Sequence, residues 1–131
     1  MRRTLAPLSS VLVLGCATVS QPPKVTVTQV TSNFAAYDGQ VVLVRGWLDE
    51  CHELSCGLFA SRAEAVKRQY GDQMLSIGST RSFDDKAVGR GPVEIVLKAK
   101  VDGECRLNQN IICTDRAHEL VPISVRILGR N

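Results

Sequence analysis

At 131 residues the chain has room for one domain with a modest core. Hydrophobic residues at 44% and charged residues at 22% exclude an intrinsically disordered protein. Sixteen basic against 13 acidic residues give +3, but without Arg2 and Arg3, which lie in a leader-like segment, the balance is 14 to 13, or +1. A near-neutral chain has no electrostatic case for nucleic acid or an anionic bilayer as its main partner.

Met1-Arg2-Arg3 is a short positive start, and the mostly apolar stretch from Leu5 to Leu14 is too short to span a bilayer. Followed by Gly15-Cys16, this pattern predicts an export signal over residues 1–15. The tetrad Val13-Leu14-Gly15-Cys16 resembles the lipobox of bacterial lipoproteins. The resemblance implies that the Cys16 thiol is diacylglycerated, that the bond before it is cut, and that the new N-terminus is acylated. A lipid bilayer is then one partner. Because Ala17, not aspartate, follows the cysteine, the family pattern implies the periplasmic side of the outer membrane. Several acyl chains, at about 0.8 kcal/mol per buried CH₂, hold a protein stably on a membrane. The competing reading is a secreted protein with an incidental cysteine.

Residues 16–24, with Gln21-Pro22-Pro23, are polar and aperiodic, which predicts a linker, and the domain is expected over 25–131. Val25, Val27 and Val30 suggest a short strand. Thr31-Ser32 offers a helix cap, with Gly39 as the stop and Phe34 and Tyr37 packing on the domain. From Val41 to Leu48 apolar residues occur on both faces, Val42, Val44 and Leu48 with Gly46, and Val41, Leu43, Arg45 and Trp47 opposite. A glycine in such a strand predicts a bend or bulge. Gly57 to Ala60 is a second strand. Ser61-Arg62-Ala63-Glu64 is a capping box opening a helix to about Tyr70, inward by Ala63, Val66 and Tyr70, with Gly71 as its stop.

Gln73 to Ile77 reads as a third strand, and Ser82 to Val88 as a helical turn at best. Val93, Ile95, Leu97, Ala99 and Val101 alternate with polar or half-polar positions, which predicts a half-buried antiparallel strand. The last strand, Leu120 to Leu128, is expected to turn Val121, Ile123, Val125 and Ile127 to one face, at a sheet edge because Pro122 cannot donate. The whole predicts a mainly β fold, a five-stranded OB-like barrel with one short capped helix. The run Tyr37-Asp-Gly-Gln-Val-Val-Leu-Val-Arg-Gly-Trp-Leu48 is similar to the first strand of small bacterial envelope OB-fold proteins, a resemblance extending over about 100 residues.

With Cys16 lipidated, four cysteines remain, an even number that in a small exported domain predicts two disulfides out of three connectivities. The local pairs Cys51–Cys56 and Cys105–Cys113 are expected. A zinc site using these thiols with His52 and His118 competes, but four and seven intervening residues match no tight zinc knuckle. His52 among Asp49, Glu50 and Glu53 is read as a solvated loop tip rather than a cation site, and Asp84-Asp85 as helix-dipole compensation.

No nucleophile elbow, phosphate loop or metalloprotease motif occurs, so no catalytic residue, metal or cofactor is assigned. Arg45, Trp47, Lys98 and Lys100 form the candidate binding face, if all point outward. The expectation is a lipid-anchored periplasmic protein that is not an enzyme and serves as an interaction module on an envelope assembly. The alternative is a binder of a glycan, peptide or ion near Trp47.

Overall fold

The structure, a computed structural model, describes residues 15–16, 20–68, 70–113, 116 and 118–129. The expected export signal, apart from Gly15, and Ala17 lie outside these residues. Among the described residues no helix is long and apolar enough to cross a membrane.

The architecture is mainly sheet, a curled antiparallel half-barrel of five strands with a few short helices. Two long strands, β2 (Val41–Leu48) and β5 (Val93–Val101), pair along their whole length, from Val41 with Lys100 to Leu48 with Val93. Both alternate as the sequence predicts, with Val42, Val44 and Leu48 and all five odd-numbered β5 residues turned into the core. Beyond β2 come β3 (Gly57–Phe59) and β4 (Leu75–Ser76); beyond β5 comes β6 (Leu120–Ile127). A parallel bridge between Ile77 and Leu120 brings the two ends of this row together.

The N-terminal segment departs from expectation. Only Lys24–Thr26 forms a strand, β1, which pairs in parallel with the first half of β2, so the linker stops one residue earlier than predicted. Thr26 then caps a helix, α1 (Val27–Ser32), in a full capping box with Gln29, and Val27 and Val30 enter the core from that helix. Thr31-Ser32 therefore closes α1 rather than opening a helix. A four-residue turn, α2 (Phe34–Tyr37), follows with Phe34 buried and Tyr37 packed on the core, and Gly39 at φ +80° makes the turn into β2.

Gly46 is not a bulge, since the β2–β5 register runs through it without a break. It marks the point where β1 gives way to β3 along one edge of β2. A Cβ there would lie 2.7 Å from Val27 Cγ2 and 2.9 Å from Leu58 Cγ and the Phe59 carbonyl oxygen. Close approach, not bending, demands the glycine.

The bulge lies in β6. Ala99 pairs with Pro122 and Lys98 with Ser124, so Ile123 is the extra residue and is half exposed. The phase of the strand flips there: Leu120 and Pro122 face inward before it, Val125 and Ile127 after it. Val121 and Ile123 are thus not on the inner face. Pro122 sits where the ladder is already interrupted and no amide is required of it.

The helices are short and more numerous than the one expected. Helix α3 (Arg62–Lys67) keeps its Ser61 cap but ends at Arg68 in the left-handed conformation, before Tyr70 and Gly71. Ala65 is its buried residue, while Ala63, Val66 and Tyr70 are exposed. Helix α4 (Arg81–Ala87) spans two turns, capped by Thr80, with Phe83 and Ala87 in the core. Helix α5 (Glu104–Leu107) follows β5. Cys51–Cys56 and Cys105–Cys113 are the disulfides, one across the β2–β3 loop and one closing the excursion after β5.

Candidate functional site

A groove of about 610 Å³ lies on the outer face of the sheet, where β2, β5 and β6 run side by side. Strand pairing builds it in rows. Arg45, Val96 and Arg126 stand abreast on the three strands. One same-face row further on, Trp47 stands beside Glu94, whose carbonyl accepts the Leu128 amide at 2.9 Å. Arg62 from the start of α3 and Arg90 from the loop before β5 complete the wall. Four arginines and one glutamate line the groove, over a floor that includes Val96.

The charges are unequally satisfied. Arg45 Nε donates to Glu94 Oε1 at 2.7 Å, and that bond, with the carboxylate charge, raises the guanidinium pKa above its ordinary value. Among the described residues Arg62, Arg90 and Arg126 have no carboxylate within salt-bridge distance. A planar guanidinium offers paired donors that match carboxylate and phosphate oxygens two at a time. Three such groups around an open groove, with one carboxylate spent on a fourth, offer paired donors of the kind that suit an anion. Trp47 is half buried against Phe59, Ala65 and Met74, so its ring is held in place by packing.

Of the predicted binding face, Arg45 and Trp47 line the groove. Lys98 and Lys100 are on the same outer face but not in it: they pair with Leu43 and Val41, toward the start of β2. Sequence reasoning missed Arg62, Arg90 and Arg126. Arg126 lies on the outer face by the same alternation that turns Val125 and Ile127 inward, but nothing in the sequence says that β6 pairs with β5 and so sets it abreast of Val96 and Arg45. Arg62 and Arg90 come from a helix start and a loop, where period-two alternation says nothing.

A different arginine does structural work nearby. Arg116 is 7% exposed; its Nε donates to the Ile77 carbonyl at 3.0 Å and its Nη2 to the Gly78 carbonyl at 3.0 Å and Asp84 Oδ1 at 2.8 Å. Asp84, read from sequence as dipole compensation, is thus an anchor for a buried guanidinium, and it also meets Ser79 Oγ. Arg106 Nε pairs with Glu119 Oε2 at 2.5 Å, and its Nη2 donates to the Met74 carbonyl at 2.8 Å. Burial pushes the Glu119 carboxyl above its ordinary pKa, against the lowering pull of the Ser76 amide and Arg106.

Of the acids around His52, Asp49 and Glu50 are likewise committed internally, while Glu53 is exposed. The fully buried Asp49 accepts the Gly57 amide at 3.1 Å and the Tyr70 hydroxyl at 2.7 Å. Arg68 Nη2 meets Glu50 Oε2 and His52 Nε2, both at 2.8 Å. Burial is the main cause that raises the Tyr70 pKa. His118 is exposed, and among the described residues no three metal-ligating side chains converge.

No protein-family model matches the chain, and neither a curated protein nor a solved structure matches it.

Proposed function

We propose that the protein is a lipid-anchored periplasmic lipoprotein whose domain is a non-catalytic interaction module, gripping an acidic patch of an envelope protein in the arginine groove. The observation that carries this reading is the row Arg45–Val96–Arg126, flanked by Arg62 and Arg90 and lacking enough carboxylates to neutralise it. Anchorage through acylated Cys16, on the outer membrane, is supported by the lipobox resemblance of Val13-Leu14-Gly15-Cys16. An OB-type barrel is supported by the strand order β4-β3-β2-β5-β6, the parallel Ile77–Leu120 bridge and the placement of α4 between β4 and β5. Nucleic acid is not a partner in this reading, because the envelope address keeps it away.

A second reading, a smaller acidic ligand such as a glycan or peptide, is favoured by the groove volume and by Trp47 at its wall, since pockets of roughly 300–1,000 Å³ suit small ligands.

In-cell crosslinking of the native lipoprotein, followed by mass spectrometry, tests the proposal. One stoichiometric envelope protein should be recovered from the native chain and lost from the Arg90→Ser, Arg126→Ser double variant. Recovery of the monomer alone would sink the protein-partner reading and turn attention to acidic glycans and peptides. Trp47→Ala is a poor probe, because removing the ring also opens the packing against Phe59 and Met74.

A further inference from the structure

We propose that the loop closed by Cys105–Cys113 is a second membrane contact, an apolar tip that seats Leu107, Ile111 and Ile112 in the headgroup layer of the bilayer holding Cys16. The proposal rests on the lipid-anchor reading. Topology places the tether and the loop at one end of the domain. β1 runs parallel to β2 with Lys24 opposite Leu43, and the Leu43 amide donates to the Pro23 carbonyl at 2.9 Å. The linker therefore leaves from the starting end of β2. β5 runs the other way and finishes there, its Val101 bonded to Gly39 and Gln40, and Leu120 opposite Val101 brings the excursion back to the same place.

Seven Cα-to-Cα steps join Cys16 to Pro23, a reach of at most about 24 Å when fully extended. This end of the domain is thus held close to the membrane surface. It presents Ile112 at 93% exposure, with Leu107 at 48% and Ile111 at 37%. The disulfide and the Arg106 contacts to Glu119 and Met74 fix the base of the loop on the barrel, so the tip is held out rather than folded over. Exposed Lys24 and Lys100 lie at the same end, suited to lipid phosphates. Asp38 and Asp102 there turn their carboxylates to the Gly103 and Glu104 amides, at 2.7 and 3.0 Å, while Glu104 is exposed. Two anchoring points set the orientation of the domain. Trp47, four residues along β2 from Leu43, then lies about 13 Å further along the strand from the tethered end, with the groove turned to the periplasm.

Full-length lipidated protein in vesicles of phosphatidylethanolamine and phosphatidylglycerol, with and without brominated acyl chains, provides the test. The chain has one tryptophan, so native emission reports Trp47 and should be unquenched. The Ile112→Trp variant in a Trp47→Phe background should be quenched about two-fold or more by shallow bromines and less by deep ones, as burial of roughly 5–10 Å at the headgroup boundary requires. Unquenched emission from that variant, while it co-floats with vesicles, overturns the proposal. A blue shift that follows protein concentration without lipid also overturns it, in favour of a second copy of the chain. Failure to co-float, with a mass showing no acyl group on Cys16, removes the anchor reading and the proposal with it, and mass distinguishes this failure from the first.

Discussion

Arg116 precedes β6 and Arg126 lies near its end, and their surroundings are opposite. The Arg116 guanidinium is buried, with three carbonyls and the Asp84 carboxylate around it; Arg126 faces a groove whose lining acid, Glu94, is taken by Arg45. Taking a charge out of water costs several kcal/mol unless partners replace the lost hydration, so Arg116 is tolerated only because its donors are used. Arg126 keeps its hydration and its donors, and can exchange water for a ligand's oxyanion. The same side chain is a clamp in one place and a recognition group in the other, and the difference is how many partners the fold supplies.

Breaking the clamp should give the largest effect. Arg116→Ala leaves Asp84 and two buried carbonyls without their donor, and we expect a loss of about 3–5 kcal/mol in urea unfolding. Partner capture per folded molecule should be unchanged. The Arg90→Ser, Arg126→Ser variant should do the reverse. Each charge-assisted hydrogen bond lost is worth about 1.5–3 kcal/mol of binding, whereas the unfolding free energy should move by no more than about 0.5 kcal/mol. Titration of the partner and urea unfolding of the same preparation separate the two.

Glu94→Gln sharpens the contrast by releasing Arg45. An exposed ion pair contributes about 0–1 kcal/mol, so folding should hardly change, while affinity for the acidic partner rises and falls more steeply with salt. The smallest effect is on pH dependence. Glu119 has a raised pKa in the folded chain, so the native state takes up its proton before the unfolded state does. Its contribution to stability is fully present below the unfolded value and is lost as pH rises through the folded one. Urea midpoints measured across that window should show this slope in the native chain and not in Glu119→Gln.

Much of the fold was legible in the sequence. The alternation of Val93–Val101 and the cap at Ser61 are local signals that tertiary packing did not override. What failed has identifiable physical causes. Val25, Val27 and Val30 suggest a strand until Thr26 and Gln29 are seen to form a capping box, which starts a helix after three residues. Tyr70 looks like a helix face residue by spacing, but Arg68 ends the helix in the left-handed region and Tyr70 turns to Asp49. The bulge at Ile123 shifts the parity of β6, so Val121 and Ile123 leave the inner face that alternation gave them, while Arg126 was missed because the pairing of β6 with β5 is a long-range fact. Arg45 and Trp47 were found because β2 carries no such shift.

The most direct test of the groove as the recognition surface is site-specific photo-crosslinking in cells, from Leu128 in the groove and from Ile123 on the exposed bulge outside it. A single adduct is expected from position 128, abolished by Arg90→Ser with Arg126→Ser, and none from position 123. Adducts from position 123 alone, or from position 128 irrespective of the arginines, would contradict this role for the groove.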